Sequence, residues 1–232
     1  MEVKLLTTPK HLAAMEFNAA YAMLTCHANT EKLNDEAPRP FIEKAIKAGH
    51  ESILEHITLT YEITNLSRAC LQELARHRHI SLSVERTRHT LKSKLDKIIN
   101  DDESIKIFVP MNVSFTDKDF TRDILPFAMP NFPETMTEFQ VRLLAALAES
   151  SDPEMSNDEL KYYLPEWWPT NLVMTANIRE LRHIVRLRTS PAALGEFQVL
   201  ARAFVSELPY SFKYLLEDCV YKENNKCNAE KA

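Results

Sequence analysis

The sequence predicts an α+β fold, a mixed or antiparallel sheet flanked by helices. Three observations carry this. Ile57, Leu59, Tyr61 and Ile63 alternate with Thr58, Thr60, Glu62 and Thr64, the period of two that marks a strand with one buried face. Residues 2–7 read as a second, shorter strand. Helical spacing dominates the second half, as at Met136, Phe139, Leu143, Leu144 and Leu147. With 232 residues, 45% of them hydrophobic, the chain is long and apolar enough for one domain with a real core, read as residues 1–221 with a polar tail at 222–232.

Taken in order, Pro9 opens a helix that runs to about Cys26. Residues 27–40 are polar, hold two prolines and read as a loop. A helix over 41–48 follows, with Gly49 placed to cap it. After the alternating strand, 66–78 reads as a helix with Leu66, Ala69, Cys70 and Leu74 on one side, and 81–85 as a loop or extended turn. Residues 105–109 read as a strand ending at Pro110. Residues 110–133 carry four prolines and no period, and 134–149 is helical. A short helix over 157–164 is stopped by Pro165. Helices are then expected over 177–188, 192–208 and 212–221.

Composition excludes several functions. Lys and Arg number 28 against 33 Asp and Glu, a net charge of −5, so the chain lacks the overall basic surface that grips duplex DNA. Its two glycines, Gly49 and Gly195, lie far apart, so neither a phosphate-binding P-loop nor a dinucleotide fingerprint can form, and any phosphate must be held by side chains. Cys26, Cys70, Cys219 and Cys227 make no C-x-x-C pair. Neither a signal peptide nor a membrane span is apparent, and the expectation is a soluble, reduced, cytoplasmic protein. His50-Glu51 and Glu55-His56 bring carboxylates near imidazoles, but not at H-E-x-x-H spacing, and no metal is expected.

Two segments break the acidic trend. Residues 73–89 hold Arg76, Arg78, Arg86 and Arg88 with His77, His79 and His89, against only Glu73 and Glu85. Arginine suits bidentate binding of phosphate or carboxylate better than lysine does. In residues 177–188, helical spacing puts Leu181, Ile184 and Val185 on an apolar face, with Arg188 at the end of that stripe, and sets Arg179, Arg182, His183 and Arg186 on a basic face. An arginine continuing an apolar stripe requires an anionic or carbonyl partner, either a structural acid such as Glu180 or a ligand.

Arg76-His77-Arg78, a serine-bearing stretch and Thr87-Arg88 resemble the signature of flavin-dependent thymidylate synthases. The stretch from Asn177 through Arg179 and Leu181 to Leu187-Arg188 is similar to that family's N-x-R-x-L helix. Leu54-Glu55-His56-Ile57-Thr58 resembles its glutamate-histidine approach to a core strand, and Leu164-Pro165 with Lys161 resembles the stretch ahead of the helix. These matches lie in the family's order over roughly residues 50–190.

The resemblance implies a thymidylate synthase-complementing-like fold, assembled as a homotetramer with active sites where subunits meet. It implies transfer of a one-carbon unit to C5 of a deoxypyrimidine monophosphate, dUMP becoming dTMP. Methylenetetrahydrofolate is then the carbon donor and co-substrate, and FAD reduced by NADPH supplies the hydride. On the FAD side it points to His56, Thr58, Arg76, His77, Arg78, His79, Asn177, Arg179 and His183. On the nucleotide side it points to Gln72, Glu73, Ser83, Glu85, Arg86, Arg88 and Lys161, with Arg88 and Lys161 at the phosphate. Arg188 matches the arginine that activates the uracil ring. No cysteine nucleophile is implied, and Cys70 reads as core.

The sequence departs from the family at several positions. Arg86 stands where the signature has serine, Val84 where a glutamate is usual, His89 where an aromatic residue follows, and His183 where an asparagine is usual. Three alternatives stay open on these residues: a relative with altered output, such as hydroxymethylation or a dCMP substrate; an inactive paralogue; or a module binding single-stranded nucleic acid through its arginines. The acidity and the lack of aromatic residues among the arginines oppose the last, and neither membrane nor nucleic acid is expected as a partner.

Overall fold

A computed structural model of the chain describes residues 1–34, 37–100 and 156–222. In chain order these form β1 (Glu2–Leu5), α1 (Pro9–Thr25), α2 (Arg39–Lys47), β2 (Thr58–Ser67), α3 (Arg68–Ala75), β3 (Ile80–Val84) and α4 (Thr87–Asn100), then α5 (Asn157–Leu160), β4 (Pro169–Asn177), α6 (Ile178–Arg188) and α7 (Gly195–Ser206). Short 3-10 turns occupy Thr30–Asn34, Glu51–His56, Lys161–Tyr163, Tyr210–Leu215 and Glu217–Cys219. The strand read at 105–109 and the helix at 134–149 lie outside the described residues. The chain divides into two compact units: Met1–Thr64, Cys70–Val84 and Asn171–Ala232 make the first, Asn65–Ala69 and Glu85–Thr170 the second.

The sheet runs in the order β1-β2-β4-β3, and the fold is α+β as expected. β1 pairs antiparallel with β2, Leu5 opposite Tyr61, and β3 pairs antiparallel with β4, Leu82 opposite Met174. Leu59, Tyr61 and Ile63 are fully buried, each stabilising the fold by about 2 kcal/mol. A register slip of one residue would bring Thr60 and Glu62 inside instead, so the alternation fixes the pairing. Tyr61 Oη donates to the Phe204 carbonyl at 2.8 Å, which ties β2 to α7.

The helix ends follow from capping. Thr8 Oγ1 accepts from the His11 amide at 3.3 Å, with Pro9 at the first position of α1. Gly49 has φ +74 and does close α2: its amide reaches the Ile46 carbonyl while that of His50 reaches Ala45 at 2.9 Å, the paired bonds of a Schellman motif.

Six stretches differ from the sequence reading, the first being the helix read at 157–164, which is α-helical only over Asn157–Leu160 and ends as a 3-10 turn over Lys161–Tyr163. Residues 30–34 form a 3-10 turn inside the expected loop. Leu66 lies on β2, not on the following helix, because the amides of Arg68 and Ala69 are taken by the carbonyls of Trp168 and Glu166 and the helix begins only there. That helix stops at Ala75, which leaves Arg76 to His79 in the turn before β3. Residues 80–84 are a strand: Ile80, Leu82 and Val84 alternate with Ser81 and Ser83, and pairing to β4 outweighs the weak strand preference of serine. The expected helix at 212–221 is two 3-10 turns. Arg182 Nη1 takes the Leu215 carbonyl at 2.7 Å, and the Cys219 amide that an α-helix would send there goes to Leu216 instead. Two elements carried no expectation, β4 and α4. Among the described residues no helix is long and apolar enough to cross a membrane.

Candidate active site

Two kinds of arginine leave α6. Asn177 caps this helix, its Oδ1 accepting from the Glu180 amide at 2.8 Å. Ile178, Leu181, Ile184 and Val185 are buried along one side. Arg182 was expected on the basic face but is buried as well, 1% exposed, because acids meet it there. Its Nε reaches Glu51 at 2.9 Å, and its fork reaches both Asp218 oxygens at 2.7 and 2.6 Å. Burial opposes the Arg182 cation, but Asp218 and Glu51 outweigh it and its pKa rises. Arg186 shares Glu51 at 2.5 Å. The hydrogen bonds from Arg186 and Arg182 hold the Glu51 carboxyl below its ordinary range against the cost of burial. Glu51 is thus committed to a structural node, and Glu55 to Arg179 at 2.5 Å.

Arg188 ends the apolar stripe as expected, and its partners come from other elements. Its Nε donates to His77 Nε2 at 3.1 Å, and its Nη1 donates to Glu73 Oε2 at 3.0 Å. Its guanidinium lies 4.7 Å from the centre of the Phe197 ring, a cation–π contact. His77 is 7% exposed. Its Nδ1 lies 3.3 Å from Glu180 Oε1, and its ring meets Phe197 and His183 edge-on, with centroids 5.9 and 5.8 Å away. Burial and the neighbouring Arg188 cation lower the His77 pKa, and Glu180 opposes them.

Around this node the first unit keeps cations at the surface. Arg76 is 76% exposed and lies 3.5 Å from Glu73, and Arg78, His79 and His183 are exposed. His56, Gln72 and Ser83 are exposed, as is Thr58, whose amide and hydroxyl face Met15 Sδ at 3.4 and 3.5 Å. In the second unit, Arg88 Nε pairs with Asp158 at 3.0 Å and Glu85 pairs with Lys94 at 2.8 Å. Arg86 and Lys161 are exposed. Arg86 directly precedes α4, and its carbonyl accepts from the His89 amide and the Thr90 hydroxyl.

The structure brings Glu73, His77, His183 and Arg188 together from α3, the following turn and α6. Glu180 and Phe197 complete that node without having been singled out. In the sequence Glu180 reads only as an acidic partner for Arg188, and Phe197 carries no signal beyond its place in an apolar helix. Burial pushes the Cys219 thiol up to about 11 and raises that of Cys70 as well, so these two stay protonated near neutral pH.

Fold and site together define an α+β protein with exposed arginine side chains and no glycine-rich loop. The family model for thymidylate synthase complementing protein matches residues 8–210. The flavin-dependent thymidylate synthase of Helicobacter pylori is 34% identical over 214 residues, 91% of this chain and 97% of that protein. That of Campylobacter jejuni is 34% identical over 207 residues, 88% of this chain and 92% of its own. A crystal structure of ThyX from Helicobacter pylori with FAD and dUMP superposes with a TM-score of 0.69 at 34% identity, covering 96% of this chain and 100% of that one. The chain belongs to the thymidylate synthase complementing protein family.

Proposed function

We propose that this chain is a flavin-dependent thymidylate synthase, a methyltransferase of dTMP biosynthesis. It transfers a one-carbon unit from methylenetetrahydrofolate to C5 of dUMP. The observation that carries this reading is the 34% identity, over 96% of this chain, to a structure solved with FAD and dUMP. When bound, FAD reduced by NADPH supplies the hydride.

The donor set fits such a cofactor. Arg76, Arg78 and Arg179 are exposed guanidiniums in a chain that has no phosphate loop, and arginine meets phosphate oxygens bidentately. In this reading they hold the FAD phosphates together with His79. His56, Thr58, Asn177 and His183 line the flavin. The Asn177 oxygen is used in capping α6, so its side-chain amide N–H groups serve as donors. On the nucleotide side, Gln72, Glu73, Ser83, Glu85 and Arg86 line the pyrimidine and sugar, and Arg88 and Lys161 take the phosphate.

Arg188 is the catalytic residue. His77, Glu73 and Phe197 hold its guanidinium before any ligand arrives. A cation fixed in advance stabilises negative charge as it develops on the uracil ring without having to reorganise. A second reading rests on Arg86: a long cation at the signature serine position admits an altered pyrimidine or a hydroxymethyl product. Residues 1–221 work as one domain, a reading supported by the family match across both units, and in this reading the protein is a cytoplasmic homotetramer.

The test is release of tritium from dUMP labelled at C5, with FAD, NADPH and methylenetetrahydrofolate present. Substitution at C5 must expel that hydrogen. A protein that binds FAD but releases no tritium contradicts the proposal.

A further inference from the structure

Resting on the reading of Arg188 as the catalytic cation, we infer that Glu180 is a positioning residue: it fixes His77 in the tautomer whose Nε2 accepts from Arg188, and so sets the orientation of that guanidinium.

An arginine Nε–H can only donate, so His77 Nε2, 3.1 Å away, must present a lone pair. The imidazole is then neutral and carries its proton on Nδ1. That proton faces Glu180 Oε1 at 3.3 Å, an acceptor-only carboxylate. A carboxylate at Nδ1 therefore selects the tautomer that Arg188 needs, the way a second partner sets which ring nitrogen is free. Glu180 is in turn held by α6 itself, its amide capped by Asn177. Glu180, His183 and Arg188 face the ring from α6, α7 brings the Phe197 ring against it and carries the neighbouring Glu196 carboxylate, and Glu73 of α3 reaches Arg188.

Protonation of His77 would set an Nε2–H against the Arg188 Nε–H. The bond breaks and the guanidinium keeps only Glu73 and Phe197. Burial and Arg188 already lower the His77 pKa, while Glu180 raises it. Glu180→Gln removes that opposing charge, so the acid limb of turnover moves to lower pH. It also lets the ring adopt either tautomer, because an amide can donate as well as accept. At the pH optimum kcat falls by about tenfold, the size of one charge-assisted hydrogen bond, with little change in KM for dUMP. Glu180→Asp, which restores a carboxylate, recovers part of the loss.

Nitrogen spectra of the free protein, labelled only at histidine, read the tautomer without turnover. The expected result is a neutral His77 protonated on Nδ1 at pH 7.5 in the parent protein, and a tautomer mixture in Glu180→Gln. A parent His77 protonated on Nε2, or charged at that pH, overturns the inference, even if the variant fails to fold. An unmoved acid limb in a folded, active Glu180→Gln protein overturns it as well. Failure of the parent protein to release tritium from dUMP would instead sink the assigned reaction, and the nitrogen spectra would still decide the tautomer.

Discussion

At the scale of the residue, Arg182 and Arg188 show how neighbours on one helix divide the work. Arg182 is enclosed by Glu51 and Asp218, and removing one partner of a buried ion pair leaves charge without compensation. Arg182→Met should lower the unfolding free energy by about 3 kcal/mol, read by urea titration. Arg188→Ala should leave the fold nearly as stable and the protein yellow with FAD, yet abolish product. Arg78→Ala should do the reverse at the first step, losing flavin on gel filtration. The acids give a pH signature. The Glu51 pKa is lowered by Arg186 and Arg182, so its contribution is complete above the ordinary value of 4.5 and drains away as pH falls from there toward the folded-state value. Chemical unfolding at stepped pH should show Glu51→Gln losing less stability than the parent protein across that acid range. The Arg182 node was not legible in the sequence, because its acids lie far away along the chain and helical spacing alone sets Arg182 on the outer face.

At the scale of the element, local chemistry decides the ends and distant pairing decides the middle. Gly49 illustrates the first. A Cβ there would touch nothing within 4 Å, so Gly49→Ala costs only the strain of a positive φ, about 1 kcal/mol, seen as a lower melting temperature. Such caps, the α1 start at Pro9 and the alternation of β2 were legible because each depends on residues close in sequence. β3 and β4 were not read as strands. Ile80, Leu82 and Val84 do alternate, but over five residues with two serines, and their pairing to Leu172–Ala176 supplies what local preference lacks. The final expected helix failed for a related reason: a distant arginine captured the Leu215 carbonyl.

At the scale of the whole molecule, function was more legible than architecture. An R-H-R triplet is common, but four motifs in family order over most of the chain are not, and they brought Arg76, His77, Arg78 and Arg188 into view together. What the motifs could not supply was the set of contacts that orients His77 and Arg188, since Glu180, Glu73 and Phe197 act through space. The assembled enzyme should sediment as a tetramer.

The mass of the product decides whether this protein makes thymidylate. Purified protein is incubated with FAD, NADPH, methylenetetrahydrofolate and dUMP, and the nucleotide is weighed by mass spectrometry. The expected product is heavier by one CH2, a methyl group in place of the C5 hydrogen, with the nucleotide leaving as dTMP. A nucleotide of unchanged mass, from protein that still holds its flavin, would contradict it.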